Sequence, residues 1–372
     1  MWNVGEVYDP EKIEQTQIAI EASGLFSTIT IEHTDELRDE QFIPMDIQVI
    51  ERKHRSIGAG IAYTTQYGPG VTLEWEHRNI AQMGEKISFK TNLWQGLQEG
   101  TLLYVKPDYK YISQDLLWLL EFEHEKTKGF TDHSLSLSRI IESRISDTLS
   151  LSYGLMYTRL NTTRSDNRSH YDLLKAPFYI RWSNANNPID PTEGYTMKVR
   201  LIPSIQFLEP IFSYCINTWT GSHYYSLTED HRYVLATRVV LGSILGASRR
   251  MIPTSERFYE GGETIMRGYR YFTVSPIGHD HKPTGGRSMM IYTVELRTHT
   301  SEKFGSVLFY DIGNVYKDPV PDFNSKLLQS VGIGLRYYTP VGPLRCDLAF
   351  PLNPRKHIDK PVQLYVSIGQ AF

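Results

Sequence analysis

The chain has 372 residues, 22% of them charged, and a formal net charge of -3 with no long basic run. This balance argues against nucleic-acid binding through a basic surface. No stretch approaches the roughly 18 consecutive apolar residues of a membrane-spanning helix, so none is predicted. The length permits one large β domain, because barrels commonly exceed about 200 residues. The 24 tyrosines fit the aromatic girdles of a transmembrane barrel, and composition alone leaves a soluble sandwich equally open.

Two features bear on the cellular environment of the chain. Cys215 and Cys346 are too few for a disulfide framework, and we predict that both are free. The N-terminal stretch MWNVGEVYDPEKI has no basic segment followed by an apolar one. We therefore expect no signal peptide here and interpret the chain as a mature fragment.

The first fifty residues predict a small mixed unit. Residues 9–23 place isoleucines near helical spacing after an acidic start, and Gly24 follows as a helix end. Residues 26–32 and 44–52 alternate as two strands around a polar connection. A unit of this size is too small to form a full core by itself.

From Ser56 onward the apolar residues recur with period two. In GVTLEWEHR, Val71 and Leu73 share one face of a strand and Thr72 and Glu74 share the other. A soluble sandwich would bury the apolar face between two sheets, whereas a membrane barrel would turn it toward lipid. The number and length of the strands distinguish the two folds.

About sixteen long strands can be placed, and an even number of antiparallel strands of about ten residues or more is typical of outer-membrane barrels. Closure of such a sheet removes its edges. The predicted strands are 56–65, 68–78, 84–94, 99–109, 114–127, 132–143, 146–160, 169–184, 194–205, 212–227, 233–246, 287–300, 303–316, 327–340, 342–353 and 361–372. The sequence thus predicts an all-β fold, a 16-stranded antiparallel transmembrane β-barrel preceded by a small α/β unit.

The connections predict an orientation. If the N-terminal unit lies in the periplasm, the hairpins after odd-numbered strands face outward and should be the longer ones. The forty residues 247–286 and the stretch LNTTRSDNRSH follow odd strands, while the short links THTSEK and TPVG follow even ones. The long turn SNANNPIDPTEG after an even strand departs from this trend.

The longest connection contains GGETIMRGYRY, in which Met266, Arg267, Gly268 and Tyr269 are consecutive. This stretch resembles the (V/I)RG(Y/F) signature in the sixth extracellular loop of the BamA and TamA superfamily of outer-membrane assembly barrels. Three further stretches resemble the family in order: NPIDPTEG, LFYDIGNVY and VGIGLRYYTPVGPLRCDLAFPLN. The short loops and RYYTPVGPLR favour the TamA branch.

The resemblance also implies a division into domains. Residues 1–53, with GLFSTITIE and the pair Glu51 and Arg52, are similar to the C-terminal part of a last POTRA domain. Residues 54–372 would then form the 16-stranded barrel. The implied location is the bacterial outer membrane, with the POTRA portion in the periplasm.

The resemblance implies that the long loop folds back into the barrel and that Arg267 pairs with acidic side chains on the next two strands. Strand parity, the alternation of successive residues between the two faces of a strand, points the same way. Glu295 and Asp311 lie on the polar faces of YTVELRT and LFYDIGN. The alternative is an exposed arginine in a solvated loop. Gly268 would allow the loop to turn against the wall, and Gly313 would remove a side chain from that wall.

Parity also points Arg297, Arg336, Arg345 and Asp347 into the lumen. Spacing alone leaves open whether these four side chains touch the Arg267 network.

The closure between the first and last barrel strands is predicted to be weak. The first strand carries Gly58 and Gly60, which offer few cross-strand contacts, and Gly369 is a point where the last strand can kink inward. The alternative is that these glycines only accommodate barrel curvature. Phe372 resembles the C-terminal aromatic signal by which outer-membrane barrels are recognised for assembly.

The resulting hypothesis is that the protein inserts or translocates outer-membrane or autotransporter substrates through a lateral gate between its first and last strands. The expected partners are unfolded substrates, an inner-membrane-anchored TamB-like protein and outer-membrane lipid, with no cofactor, catalytic residue, metal or nucleic acid. The alternatives are a passive porin, a two-partner-secretion exporter and a barrel enzyme. The histidines are scattered, and His279 and His281 are interpreted as parts of a solvated loop.

Overall fold

The computed structural model describes residues 5–33, 43–64, 67–164, 167–322, 324–339, 342–368 and 370–372. Its N-terminal unit consists of α1 (Pro10–Ala22), β1 (Phe26–His33) and β2 (Met45–Glu51). The side chain of Asp9 accepts a hydrogen bond from the Glu11 amide at 3.0 Å and so caps the helix. The two strands pair antiparallel. The helix and both strands predicted from the sequence are confirmed within two residues at each end.

The rest of the chain forms one closed antiparallel sheet. Its strands are β3 (Arg55–Thr64), β4 (Gly68–His77), β5 (Lys86–Trp94), β6 (Leu97–Lys106), β7 (Gln114–Lys126), β8 (Thr131–Arg144), β9 (Leu149–Arg164), β10 (Asn167–Lys175), β11 (Phe178–Ser183), β12 (Gly194–Gln206), β13 (Phe212–Ser226), β14 (Tyr233–Gly246), β15 (Ser288–His299), β16 (Phe304–Tyr316), β17 (Leu328–Tyr337), β18 (Leu344–Pro351) and β19 (Gln363–Ile368). A short 3-10 helix, Thr254–Glu256, lies between β14 and β15.

One predicted strand, 169–184, is interrupted in the structure. β10 and β11 both pair with β9 and with β12, and they are separated by Ala176 and Pro177. Proline has no amide hydrogen for the ladder, which explains why the ladder breaks here. With β10 and β11 counted as the two halves of one strand, the wall has the predicted sixteen positions.

The apolar face of the sheet points outward. On β8, Leu137 is 48% exposed while its neighbour Ser136 is 9% exposed, and on β15, Tyr292 is 40% exposed while Thr293 is 0% exposed. The closed wall therefore presents an apolar outer surface, and the sandwich alternative is excluded. Among the described helices, none is long and apolar enough to cross a bilayer.

The predicted rule for hairpin lengths is wrong for the first half of the barrel. β3 begins directly after the N-terminal unit, so the hairpins at the opposite end are those that follow the odd-numbered barrel strands. Four of these connect β3 to β4, β5 to β6, β7 to β8 and β9 to β10 by at most four residues. The stretch LNTTRSDNRSH is mostly strand, because β9 and β10 continue to Arg164 and from Asn167. Only the last half of the barrel carries long connections at this end.

Because the apolar face points outward, an added charge should destabilise the barrel more on the outer face of a strand than on its lumen face. Replacing Leu137 with Arg should lower the free energy of unfolding by about 2–4 kcal/mol, because a charge on the lipid face near the middle of the bilayer is costly. Urea titration of the protein refolded into phospholipid vesicles measures this loss. The matched control is Ser134→Arg on the same strand, which faces the lumen opposite Glu123 and should lose much less. Equal losses would contradict the assigned lipid face.

Candidate functional site

The connection between β14 and β15, residues 247–287, turns back into the barrel, and we call it the lumen loop. Three isolated antiparallel β-bridges within the loop join Phe258 to Gly286, Glu260 to Val274, and Ile277 to Pro283. Its apolar side chains share one buried cluster with inward-facing wall residues. The loop contributes Ile252, Phe258, Met266, Tyr269 and Val274, and the wall contributes residues that include Val240, Ile244, Met289 and Ile291.

Arg267 is the fully buried centre of the loop, with 0% of the residue exposed. Its Nε and Nη2 donate to the two carboxylate oxygens of Asp311, each at 2.9 Å, and its own amide donates to Asp311 Oδ2 at 2.9 Å. Its Nη1 donates to Glu295 Oε1 at 2.5 Å. The guanidinium carbon also lies 3.5 Å from the centre of the Phe309 ring. The structure therefore pairs Arg267 with both acids that strand parity pointed inward: Asp311 accepts two parallel side-chain hydrogen bonds and Glu295 accepts one.

The ion pairs continue along the wall beyond these two acids. Asp347 Oδ2 lies 3.6 Å from Arg267 Nη1, and Asp347 also pairs with Arg336 and, at 3.7 Å, with Arg345. Glu295 accepts a second bond from Arg297 Nε at 2.9 Å. The four inward residues left open by the sequence therefore all belong to the Arg267 network.

Gly268 and Tyr269 join the loop to the last three strands. Gly268 has a φ of +88°, and an added Cβ would lie 2.8 Å from Ser330 Cβ, so glycine is required both for the backbone conformation and for the close approach. The Tyr269 hydroxyl donates to the Gln329 carbonyl at 2.9 Å. The Tyr365 hydroxyl donates to the Tyr269 carbonyl at 3.0 Å. These partners on β17 and β19 were not predicted, although parity alone would have placed Tyr365 inward.

Gly313 has a role different from the predicted one. An added Cβ at this position would lie 2.4 Å from the carbonyl oxygen of Met290 on the adjacent strand β15. The neighbouring backbone, and not the loop, therefore fills the space. Gly332 makes room for the Phe309 ring, because an added Cβ there would lie 2.1 Å from that ring, and the Arg267 guanidinium packs on the same ring.

The sheet closes between β3 and β19, and this seam differs from the rest of the wall. Other neighbours are joined by extended ladders, as β3 is to β4 and β18 is to β19. Within the described residues no comparable ladder joins β3 to β19. Ile57 and Ile61 on β3 are 84% and 89% exposed, against 48% for Leu137 within the wall. The flank of β3 is therefore poorly covered by its neighbour.

The two described seam glycines are not required by crowding. A Cβ added to Gly58 would lie 3.7 Å from Glu74 Cβ, and one added to Gly60 would meet nothing within 4 Å. Side chains would fit at both positions, so their absence removes cross-strand contacts without relieving a clash. Gly369, the third predicted seam glycine, lies outside the described residues.

Phe372 lies within the lumen and not in a ladder with β3. Its ring centre is 4.5 Å from the guanidinium carbon of Arg238 on β14. β19 ends at Ile368, four residues before the end of the predicted strand 361–372. The chain therefore leaves the wall beside the seam and crosses toward β14.

The turn between β11 and β12 contacts this lumen segment through Asp190, which lies in the NPIDPTEG stretch. Asp190 Oδ1 accepts from Gln370 Nε2 at 2.8 Å, and Asp190 Oδ2 lies 3.0 Å from His299 Nε2. Burial alone would raise the pKa of the Asp190 carboxyl, but the hydrogen bonds from His299 and Gln370 lower it below its usual value. Asp190 is therefore held as a carboxylate, a role that the motif match did not indicate.

Two further expectations concern cysteine and metal. Cys215 and Cys346 are free, as predicted. Across the described ranges, no group of three or more His, Cys, Asp or Glu side chains is arranged to hold a metal ion. His281 lies in the lumen loop with a φ of +57°.

Comparison with known proteins agrees with this architecture. Residues 79–372 match the model of the Omp85 superfamily domain. The outer membrane protein assembly factor BamA of Nitratidesulfovibrio vulgaris is 22% identical over 386 residues, which cover 94% of this chain and 45% of that protein. The chain thus spans less than half of that relative.

Two solved structures share the fold. BamA from Haemophilus ducreyi lacking POTRA domains 1–3 superposes with a TM-score of 0.82 at 17% identity, covering 100% of this chain and 80% of that one. CdiB from Acinetobacter baumannii superposes with a TM-score of 0.65 at 11% identity, covering 99% of this chain and 69% of that one.

A closed transmembrane β-barrel with an arginine-anchored loop in its lumen defines a class of outer-membrane protein. With the family match covering most of the barrel, this chain belongs to the Omp85 superfamily. It is therefore a protein of the bacterial outer membrane. The narrower assignment to the TamA branch stays a prediction.

The buried ion pairs predict that replacing Arg267 lowers the stability of the barrel more than replacing an exposed arginine of the same loop. Arg267→Gln should lower the free energy of unfolding by about 3–5 kcal/mol, because it leaves the buried Asp311 carboxylate without the one cation that pairs with it among the described residues. Denaturant titration in detergent micelles measures this loss. Arg250→Gln, an exposed arginine at the start of the same loop, is the matched control and should change stability by less than about 0.5 kcal/mol. If the two variants have the same free energy of unfolding, the network does not stabilise the barrel.

Proposed function

We propose that this barrel inserts or translocates outer-membrane polypeptides, including autotransporters, through a lateral gate between β3 and β19. The observation that carries the proposal is the short seam, in which no extended ladder joins the two strands among the described residues. The relative from Nitratidesulfovibrio vulgaris is named as an outer membrane protein assembly factor. The family match and the seam together support this activity over a purely structural role.

The physical basis is the cost of an unpaired strand edge in lipid. Each backbone N–H or C=O without a partner in hydrocarbon costs several kcal/mol. A substrate strand that pairs with the edge of β3 supplies the missing partners by β-augmentation. The substrate would thereby begin to fold on the edge of the barrel, and no cofactor or covalent step is required.

The lumen loop contacts the strands on one side of the proposed gate and not, among the described contacts, the strand on the other side. Tyr269 and Arg267 bind residues on β15 through β19, including Asp311 and Tyr365, so the last five strands are held together from within. β3 has no such support from the loop in the described contacts, and its flank is the more exposed side of the seam. We infer that opening moves β3 more than β19.

The N-terminal unit is placed to act on β3. The amide of Arg52 donates to the Leu25 carbonyl at 2.8 Å, and the amide of Arg78 on the β4 side donates to the His54 carbonyl at 2.8 Å. Val49 and Ile50, which point to opposite faces of β2, are 42% and 61% exposed, so both faces of this two-stranded sheet are partly uncovered within the described residues. These observations support residues 1–53 as the last part of a POTRA domain in the periplasm, joined directly to the barrel at residue 54.

The proposed partners follow from this arrangement. Unfolded outer-membrane or autotransporter polypeptides would pair with β3, and lipid would contact the apolar face around the seam. An inner-membrane-anchored TamB-like protein is proposed as the periplasmic partner if the chain belongs to the TamA branch. No residue is proposed to act as a catalyst.

Locking the seam tests the proposed gate. Cysteines at Ala59 and Val366, in a chain with Cys215→Ala and Cys346→Ala, would be joined by a short bis-maleimide in reconstituted vesicles. Insertion of a urea-denatured outer-membrane substrate should fall at least about tenfold, which corresponds to only about 1.4 kcal/mol of added barrier. The matched control joins cysteines at Leu137 and Tyr157, which lie opposite each other on β8 and β9. Undiminished insertion with a locked seam would exclude lateral gating.

The same measurement separates the gate from the exporter alternative, which the fold similarity to CdiB favours. An exporter passes its substrate through the lumen, so locking the seam would leave secretion unchanged. Substrate protected inside the vesicles would then be the product, in place of substrate inserted in the bilayer.

Conductance separates the gate from a passive porin. The lumen loop occupies the interior around Arg267, so the wild-type barrel should show small and irregular current steps in a planar bilayer. Arg267→Gln should increase the step size, because the loop loses its anchor, and Arg250→Gln should not. Large, uniform steps from the wild-type protein would favour a porin.

A further inference from the structure

Three inward side chains from neighbouring strands surround the ring of Phe372, and we call them the aromatic pocket. They are Tyr224 on β13, Arg238 on β14 and Arg297 on β15. The guanidinium carbons of Arg238 and Arg297 lie 4.5 Å and 5.0 Å from the centre of the Phe372 ring. The Tyr224 ring stacks on Phe372 with centres 6.1 Å apart. All three pocket residues are at most 5% exposed.

The pocket also binds the backbone of its occupant. Arg238 Nη1 donates to the carbonyl oxygen of Ala371 at 3.1 Å, and Arg297 Nη2 donates to the main-chain oxygen of Phe372 at 3.0 Å. The pocket thus recognises an aromatic ring and two successive main-chain oxygens. Any extended peptide with an aromatic residue presents the same features, because they depend on one side chain only.

Arg238 depends on this occupant. Its two hydrogen-bond acceptors in the described part of the chain are the main-chain oxygens of Ala371 and Thr264. Its Nε is buried without a partner. A guanidinium at 5% exposure that loses one of two acceptors keeps its desolvation cost and loses part of the compensation. The empty pocket is therefore unfavourable, and another peptide of the same kind would be favoured to enter.

The occupant is part of the strand that borders the seam. Residues 370–372 follow β19, and in the pocket Ala371 and Phe372 contact Arg238 on β14 and Arg297 on β15. The same residues cannot occupy the pocket and extend β19 along β3 at the same time. Occupancy of the pocket by another peptide would therefore release these residues to extend the seam, and the two events are thermodynamically linked.

We infer that the aromatic pocket is a binding site for an aromatic residue on an extended segment of an incoming polypeptide, filled by Phe372 when no such segment is present. The inference rests on the proposed function, because the incoming polypeptide is the substrate that reaches the lumen through the seam. The ligand class is a peptide that presents an aromatic ring and its adjacent main-chain oxygens to two arginines. This assigns substrate recognition to Tyr224, Arg238 and Arg297.

Photocrosslinking to the full chain in lipid nanodiscs tests the inference. The probe is the peptide of residues 363–372 with p-benzoylphenylalanine in place of Phe372, and mass spectrometry maps the crosslinked residues. In the Phe372→Ala protein, crosslinks to β13–β15 should rise about tenfold over wild type, because the competing ring is absent. Unlabelled peptide should compete, and the same peptide with Phe372→Ala should not.

Protein variants show whether the pocket itself binds the probe. Adding Arg238→Gln and Arg297→Gln to the Phe372→Ala protein should lower the crosslinks at least about tenfold, since two charge-assisted contacts are lost. Arg181→Gln, a lumen-facing arginine on β11 outside the pocket, is the control and should leave them unchanged. Folding of each variant is checked by its heat-modifiable mobility in gels. If the Phe372→Ala protein does not fold, competition against the intact tail at rising peptide concentration replaces it.

Crosslinks confined to β3, or crosslinks that the alanine peptide competes for equally well, would overturn the inference. That result leaves the seam-locking experiment unaffected, so failure of the pocket is distinguishable from failure of the gate. Conversely, a peptide that binds the pocket while a locked seam still inserts substrate would contradict the gate and retain the pocket as a peptide site.

Discussion

The structure depends on one buried guanidinium. Arg267 reaches the wall from a loop of about forty residues and is held by Asp311 and Glu295, with Asp347 close by. A buried charge is tolerated only when its partners are close and well oriented, and removing one partner is far more costly than removing the whole arrangement. The loop therefore has one favourable position, inside the barrel, and the strands that carry the acids must keep their register.

Anchoring the loop has consequences for the wall. The acids lie on β15, β16 and β18, and the loop backbone is bound by Tyr365 on β19. The last strands are thus tied to one another through the lumen as well as through their ladders. β3 carries glycines where side chains would fit, and within the described part of the chain its extended ladder is the one with β4. The barrel is therefore stiff on one side of its closure and weakly held on the other, which is the asymmetry that a lateral gate requires.

Much of this architecture follows from local sequence pattern. Strand bounds were predicted closely because period-two alternation and turn residues are local properties. Parity also placed Glu295 and Asp311 inward, because a strand has only two faces. The interruption at Pro177 and the length of β9 were not predicted, since alternation continues through both. The contact of Asp190 with Gln370 joins residues 180 positions apart, and no pattern along one strand carries that information.

The position of Phe372 connects the anchored loop to the seam between β3 and β19. Arg238 contacts both the loop, through the Thr264 carbonyl, and the segment after β19, through the Ala371 carbonyl. A change in either contact alters the solvation of the same buried cation, so the loop and the end of the last strand are not independent. Because Arg297 binds Glu295 and Phe372 together, the coupling continues into the Arg267 network. Movement at the seam is thus opposed by the same charges that hold the loop, and in the proposed gate the energy of opening would come from a polypeptide that replaces these contacts.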